Sequence, residues 1–361
     1  MSTLHYVGWQ GNQNIGDDAV FCATRQLLDD VTVTPDPAEA SSAPVLFGGG
    51  TVLPVALKPF SDYDFDSEQR LFALGVGIND PAFYNRRLQW FDLRWAIGRM
   101  GFGPLLSSPG IFAGLLRKCI SITGHPPLYF QDQDFRHMNQ IPFELLGVRG
   151  PRSHRILEQY EVKSQTIADP ALYLEPDHYS NERSNKIAIC VRSSGLKWTS
   201  SSDYVDVLVD VCREWPRPVE FVTLPFYPED QADNQQIADR IPSATCKNYV
   251  EPMDLAGLMN DISSCDVMIG EKLHANVLAA ACHVPFVSLE YRPKNLDFAE
   301  SMDLEEMNIR LDEVTHRRLR TTLHRALNDP EIRDTLVENV QLSRTKLEAQ
   351  SNKIRRRMPS A

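Results

Sequence analysis

Val267-Met268-Ile269-Gly270-Glu271-Lys272-Leu273-His274-Ala275-Asn276 is the stretch whose reading decides the fold. A short, wholly apolar run stopped by glycine reads as a strand buried on both faces, and the segment Glu271 to Cys282 that follows reads as a helix. Working outward, the same strand-then-helix grammar recurs. Ile187 to Val191 is a strand running into Arg192, Val219 to Leu224 another, Asp230 to Ile241 a helix, and Pro285 to Leu289 one more buried strand. The N-terminal half repeats it. Leu4 to Val7 precede a polar loop and a helical face of Val20, Phe21, Thr24, Leu27 and Leu28. Val45-Leu46-Phe47 runs into Gly48-Gly49-Gly50, and Leu71 to Leu74 into Gly75-Val76-Gly77. Apolar strands ending in glycine predict an α/β protein of two parallel sheets, and ligands of such sheets bind beyond the carboxyl ends of the strands. Two facing units therefore place a site in the cleft between them.

Length and composition agree. A chain of 361 residues exceeds what one core usually organises. The expected organisation is an N-terminal unit over 1–180, a second unit over 186–330 after a polar linker from Glu175 to Asn185, and a helical tail over 331–361 that frays toward Arg355-Arg356-Arg357. An extended insertion at about 83–140 fits the grammar poorly. It holds Trp90, Phe91, Trp95 and Phe102 among arginines that include Arg86, Arg87, Arg94, Arg99 and Arg117, and reads either as a packed lid or, more sharply, as a face resting on a membrane surface. A formal charge of −11 argues against nucleic acid as the partner. Seven scattered cysteines without a CxxC pair point to buried thiols rather than zinc or a redox dithiol. Nothing reads as a signal peptide or a spanning helix, so the expected place of work is the cytoplasm.

Five constellations could carry chemistry. Gly11-Asn12-Gln13-Asn14-Ile15-Gly16-Asp17-Asp18 follows the first strand, and offers Asn14 and a carboxylate, Asp17, as one wall of the cleft; the plain alternative is a helix cap and turn. Gly48-Gly49-Gly50 exposes backbone N–H groups that suit an anion or a sugar, without the spacing of a dinucleotide fingerprint. Arg149 sits where a strand meets a turn, and Asp169-Pro170 follows that segment. Lys272 and His274 stand at the start of a helix, whose N-terminus favours negative charge. Finally, Tyr291-Arg292-Pro293-Lys294 ends the last buried strand. With Arg192 and Lys272, Lys294 would give an acidic protein a basic cleft that draws in an anion.

Taken in order, GNQNIGDDAVF, FGGGTVLP, GVGI, GVRGPRSHRIL, ADPALYL, ICVRSSG, LPFYPEDQADN and DVMIGEKLHANVLAAACHVPFVSLEYRPKNLDFA closely resemble the serial blocks of polysaccharide pyruvyl transferases, over roughly Leu4 to Ala299. The resemblance implies two Rossmann-like domains facing each other as in glycosyltransferase-B enzymes. It implies phosphoenolpyruvate as the donor, a sugar or lipid-linked oligosaccharide as the acceptor, a pyruvyl ketal as the product, and no metal or nucleotide. On this reading the second unit takes the donor through Arg192, Lys272, Leu273 and Lys294, while the first takes the acceptor with Asn14, Gly49, Gly50 and Arg149. His274 is the acid for the enol methylene carbon and Asp17 the base for a sugar hydroxyl. Lys272 stands where the family has arginine, which exchanges a planar fork for a point charge. Two rivals share the architecture: a nucleotide-sugar glycosyltransferase and a glycan-binding protein without catalysis.

Overall fold

A computed structural model describes residues 3–35, 43–50, 53, 70–81, 83, 135, 138–180, 182–192, 197, 202–216, 218–242, 244–248 and 255–358. The expectations for the insertion, Trp90, Phe91 and Trp95 included, fall almost entirely outside them.

Two six-stranded sheets organise the chain, and every pairing in both is parallel. The first is ordered β2-β1-β3-β4-β5-β6. Its strands are β1 (Thr3–Val7), β2 (Thr32–Thr34), β3 (Val45–Gly48), β4 (Leu71–Val76), β5 (Phe143–Val148) and β6 (Gln165–Thr166), with helices α1 (Ile15–Leu27) and α2 (Pro151–Gln159). The second is ordered β12-β11-β10-β7-β8-β9. It comprises β7 (Lys186–Cys190), β8 (Glu220–Thr223), β9 (Ala244–Cys246), β10 (Val267–Gly270), β11 (Phe286–Glu290) and β12 (Asn308–Arg310). Helices α3 (Asp203–Arg213), α4 (Gln231–Arg240), α5 (Leu255–Ser263), α6 (Leu273–Ala281), α7 (Pro293–Ser301) and α8 (His316–Asn328) accompany it. All residues of β3, β4, β10 and β11 are buried, as strands covered by helices on both faces must be.

Each sheet reverses its direction of growth once, between β1 and β3 in the first and between β7 and β10 in the second. At such a switch point the following loops diverge to opposite sides and leave a crevice at the strand ends. The two crevices meet. The N–H of Ile15, at the start of α1, donates to the Phe226 carbonyl of the second unit at 3.2 Å.

The tail departs from expectation. Rather than fraying, the chain forms one helix, α9 (Pro330–Arg357), on which Ile332, Leu336, Val340, Leu347 and Ile354 are buried. It crosses back to the first unit: Arg355 pairs with Asp29 and Asp30 and donates to the Leu27 carbonyl. Midway, buried Arg344 donates to the carbonyls of Leu172, Leu174 and Ala281, so one guanidinium ties α9 to the connector and to α6. A second clasp joins α2 to α7. The Asp297 carboxylate accepts from the backbone N–H groups of Arg152 and Ser153 and from the Ser153 hydroxyl at 2.6 Å. A carboxylate from one unit thus neutralises the helix N-terminus of the other.

Candidate active site in the cleft

The strand ends of both sheets open into one cavity of ≈ 500 Å³. Asn14, Asp17, Gly50, Arg192, Lys272, Leu273, His274 and Lys294 all line it, so eight residues chosen from sequence come together from loops far apart in the chain.

His274 is the second residue of α6 and is buried. Its position is fixed from two sides. Nε2 faces the buried carboxylate of Asp169 at 3.5 Å, and the Nδ1 edge lies against Gly16 so closely that a Cβ there would come within 2.0 Å of Nδ1. Asp169 sits at the start of the short 3-10 helix Pro170–Tyr173, where its side chain accepts from the Ala171 N–H. Burial alone would raise the Asp169 pKa. The hydrogen bond and charge of His274, with the Arg149 guanidinium, more than offset that and hold the carboxyl below its usual range. Arg149, Asp169 and His274 thus form a buried chain of alternating charge capacity that reaches the cavity through the imidazole.

Two expectations need correction here. Arg149 does not reach the cavity: it is 2% exposed, lies 3.9 Å from Asp169, and its guanidinium is packed against Gly77. Its place at the inner end of β5 turns it toward the core, so it supports Asp169 instead of meeting a substrate. Gly49 is likewise behind the wall, with φ +69, and a Cβ on it would press on the Tyr6 hydroxyl; its neighbour Gly50, at φ +60, meets the cavity. Asp17 and Asp18 lie within the first turn of α1 and so do not supply its N-cap. The N-cap is Asn14, without a side-chain cap bond; Asn14 donates to Asp17, and Asp18 instead accepts from the Gly11 N–H, closing the loop on itself.

Lys272 is also less free than its sequence suggests. Its ammonium pairs with Asp230 at 2.6 Å and lies 5.1 Å from the Tyr227 ring. Glu271, fully buried, accepts from the Arg192 N–H and the Tyr204 hydroxyl and pairs with Lys197 at 2.6 Å, fixing the β7 and β10 ends to each other. Cationic character is instead concentrated where Arg192, Arg292 and Lys294 surround the ring of Tyr291.

Sequence reasoning overlooked Asp169, Asp230 and Tyr291 as participants, along with Asn79, Phe226 and Tyr227 in the wall. It overlooked Trp9 at the rim too. Trp9 is 56% exposed and lines the cavity. The one available signal was position, since each of these residues follows a strand end or opens a turn. Among the described residues no cluster of His, Cys, Asp or Glu is arranged to hold a metal ion, and no helix is long and apolar enough to cross a membrane.

Residues 121–293 match the family model of the polysaccharide pyruvyl transferases. The match runs from before β5 to the loop after β11, so it contains Arg149, Asp169, Arg192, Lys272, His274 and Tyr291, whereas Asn14, Asp17 and Lys294 lie outside it. No curated protein matches the chain. Among solved structures, the glycotransferase of kitacinnamycin is similar at 15% identity with a TM-score of 0.49, with 99% of each chain covered. A putative UDP-N-acetylglucosamine 2-epimerase from Listeria monocytogenes is similar at 13% identity and a TM-score of 0.49, over 98% of this chain and 94% of that one. An Anabaena protein in complex with UDP and glucose shares 12% identity, at a TM-score of 0.45, over 99% and 98%. The nucleotide and sugar chemistry named for those proteins does not pass to this chain at such distances.

Proposed function

With residues 121–293 matching the polysaccharide pyruvyl transferases, we propose that the chain transfers the pyruvyl group of phosphoenolpyruvate to a sugar hydroxyl pair, forming a ketal and releasing phosphate. The observation that carries the reading is that one cavity is lined by two chemically distinct sets: the cations Arg192, Arg292 and Lys294 gathered around Tyr291, and the acid–base groups His274 and Asp17. A donor bearing a carboxylate and a phosphate is matched by the first. The second suits an acceptor whose hydroxyls must lose protons.

On this reading His274, steadied by Asp169 and Gly16, delivers a proton to the enol methylene carbon, which leaves the adjacent carbon electrophilic. One sugar hydroxyl adds there and gives its proton to Asp17. The second hydroxyl then displaces phosphate. Trp9 at the rim offers a sugar ring an apolar face to stack on, and the backbone at Gly50 lets that sugar lie close. Lys272, held by Asp230, sets the edge of the seat and is not its main cation.

Thermal denaturation tests the donor assignment. A ligand bound only by the folded state raises the midpoint by mass action. Phosphoenolpyruvate should raise it and UDP-sugars should not; the reverse pattern would favour a nucleotide-sugar donor.

A further inference from the structure

The proposed reaction leaves Tyr291, an ionisable group of the cavity wall, without a role. Tyr291 follows β11 at the cavity wall and is itself 2% exposed. Three cations face its ring: Arg192 Cζ lies 4.8 Å from the ring centroid, Lys294 Nζ 5.1 Å and Arg292 Cζ 5.4 Å. Arg192 and Lys294 also hydrogen-bond its hydroxyl. A phenol needs no such company to be buried. Charges of one sign converging on it from β7 and from the β11–α7 corner are the arrangement expected where a negative charge comes and goes.

We propose that Tyr291 carries a proton at this seat: its phenol oxygen takes one up when a phosphate group settles on Arg192, Arg292 and Lys294, and releases it to the leaving oxygen during transfer. The uptake is independent of the donor's identity; the release rests on the pyruvyl transfer proposed above. In that step the C–O bond to phosphate breaks, and the phenol gives its proton to the departing oxygen. The phenolate so formed takes the proton of the second acceptor hydroxyl as its C–O bond forms. The first hydroxyl's proton balances the one placed on the methylene carbon, so phosphate leaves as hydrogen phosphate and Tyr291 ends as it began.

The electrostatics agree. Burial would raise the Tyr291 pKa, but Lys294, Arg192 and Arg292 together pull it down to about 6. Burial lowers Lys294, and Arg292 and Arg149 add to that, while Tyr291 opposes them. Glu271 and Asp230 act on Arg192 from the β10 and β8 ends. An empty seat at neutral pH therefore holds a phenolate. A bound dianion satisfies the same cations, removes their pull on the phenol, and lets it protonate.

The test uses the full chain, Tyr291→Phe and inorganic phosphate. Ultraviolet absorbance should show a phenolate band that appears as pH rises through about 6. Tyr6, Tyr173, Tyr179 and Tyr204 are shifted upward and stay silent there. Adding phosphate at neutral pH should abolish the band, and the parent should take up close to one proton more for each phosphate bound than Tyr291→Phe does, a difference from which phosphate's own titration cancels. Tyr291→Phe should lack the band. A band seen only at alkaline pH, a band untouched by phosphate, or a failure of phosphate to bind overturns the proposal, and so does equal uptake by the variant. If the variant does not fold, the parent's spectrum with and without phosphate decides alone. An intact phosphate response with no turnover of phosphoenolpyruvate on any acceptor would sink the pyruvyl transfer and leave the phosphate-linked proton at Tyr291 standing.

Discussion

Gly16→Ala isolates the placement of His274 from its chemistry. Gly16 lies in the first turn of α1 with nothing unusual in its backbone, so alanine is excluded by space alone. The added Cβ would stand 2.0 Å from His274 Nδ1, 2.3 Å from Cγ and 2.5 Å from Cβ. Since ordinary carbon contacts begin near 3.5 Å, the ring must retreat by more than about an ångström or α1 must lift away from α6. Forced overpacking of this kind costs roughly 1–3 kcal/mol, which a denaturant midpoint resolves. Activity should suffer more than stability. A displacement of about 1 Å at a reacting group typically costs around 10²-fold, so turnover should fall by about two decades while phosphate still binds at Arg192, Arg292 and Lys294. Paired denaturation, phosphate binding and turnover measurements check this. Parental turnover in a folded Gly16→Ala protein would refute the view that His274 must stand where α1 holds it.

Asp169→Asn should be destabilising, because it removes one of the two buried carboxylates, Asp169 and Asp297, that act on the buried Arg149 charge. Since the folded-state pKa of Asp169 is depressed, its stabilising effect is complete above the ordinary carboxylate range and is lost as pH falls through the lowered value. Acid titration of stability should accordingly be shallower in the variant. Trp9→Ala should raise the acceptor KM by a factor of about two to ten, the worth of one aromatic stack, with the donor KM unchanged; a change confined to the donor would remove Trp9 from the acceptor side. Lys272→Ala should lower the denaturation midpoint, because it removes the ion pair with buried Asp230, whereas Lys272→Arg should keep both stability and turnover.

Much of the second sheet was legible because its central strands are buried on both faces and so appear as unbroken apolar runs. The edge strands β2, β6, β9 and β12 were not. Each has two or three residues paired along one side, too few for a period to show. The apolar spacing of α9 was visible, but its course was not, since that depends on Arg344 and Arg355 finding carbonyls and carboxylates 63 to 328 positions away. In the site, His274 and Lys272 stood out by chain position, whereas the roles of Asp169, Asp230 and Tyr291 arise only when strand ends from separate parts of the chain converge. Arg149 failed for the same reason in reverse: a charge beside a turn reads as exposed until packing turns it inward.

The central claim is that this cleft breaks the C–O bond between pyruvyl and phosphate groups in the presence of a sugar. Release of inorganic phosphate from phosphoenolpyruvate, followed across a panel of free and lipid-linked oligosaccharides with His274→Gln as control, tests it most directly. The account predicts release that depends on acceptor, leaves a pyruvyl ketal on the product, and collapses in the variant although phosphate still binds. Release of UDP from a UDP-sugar, with phosphoenolpyruvate inert toward every acceptor, would contradict it.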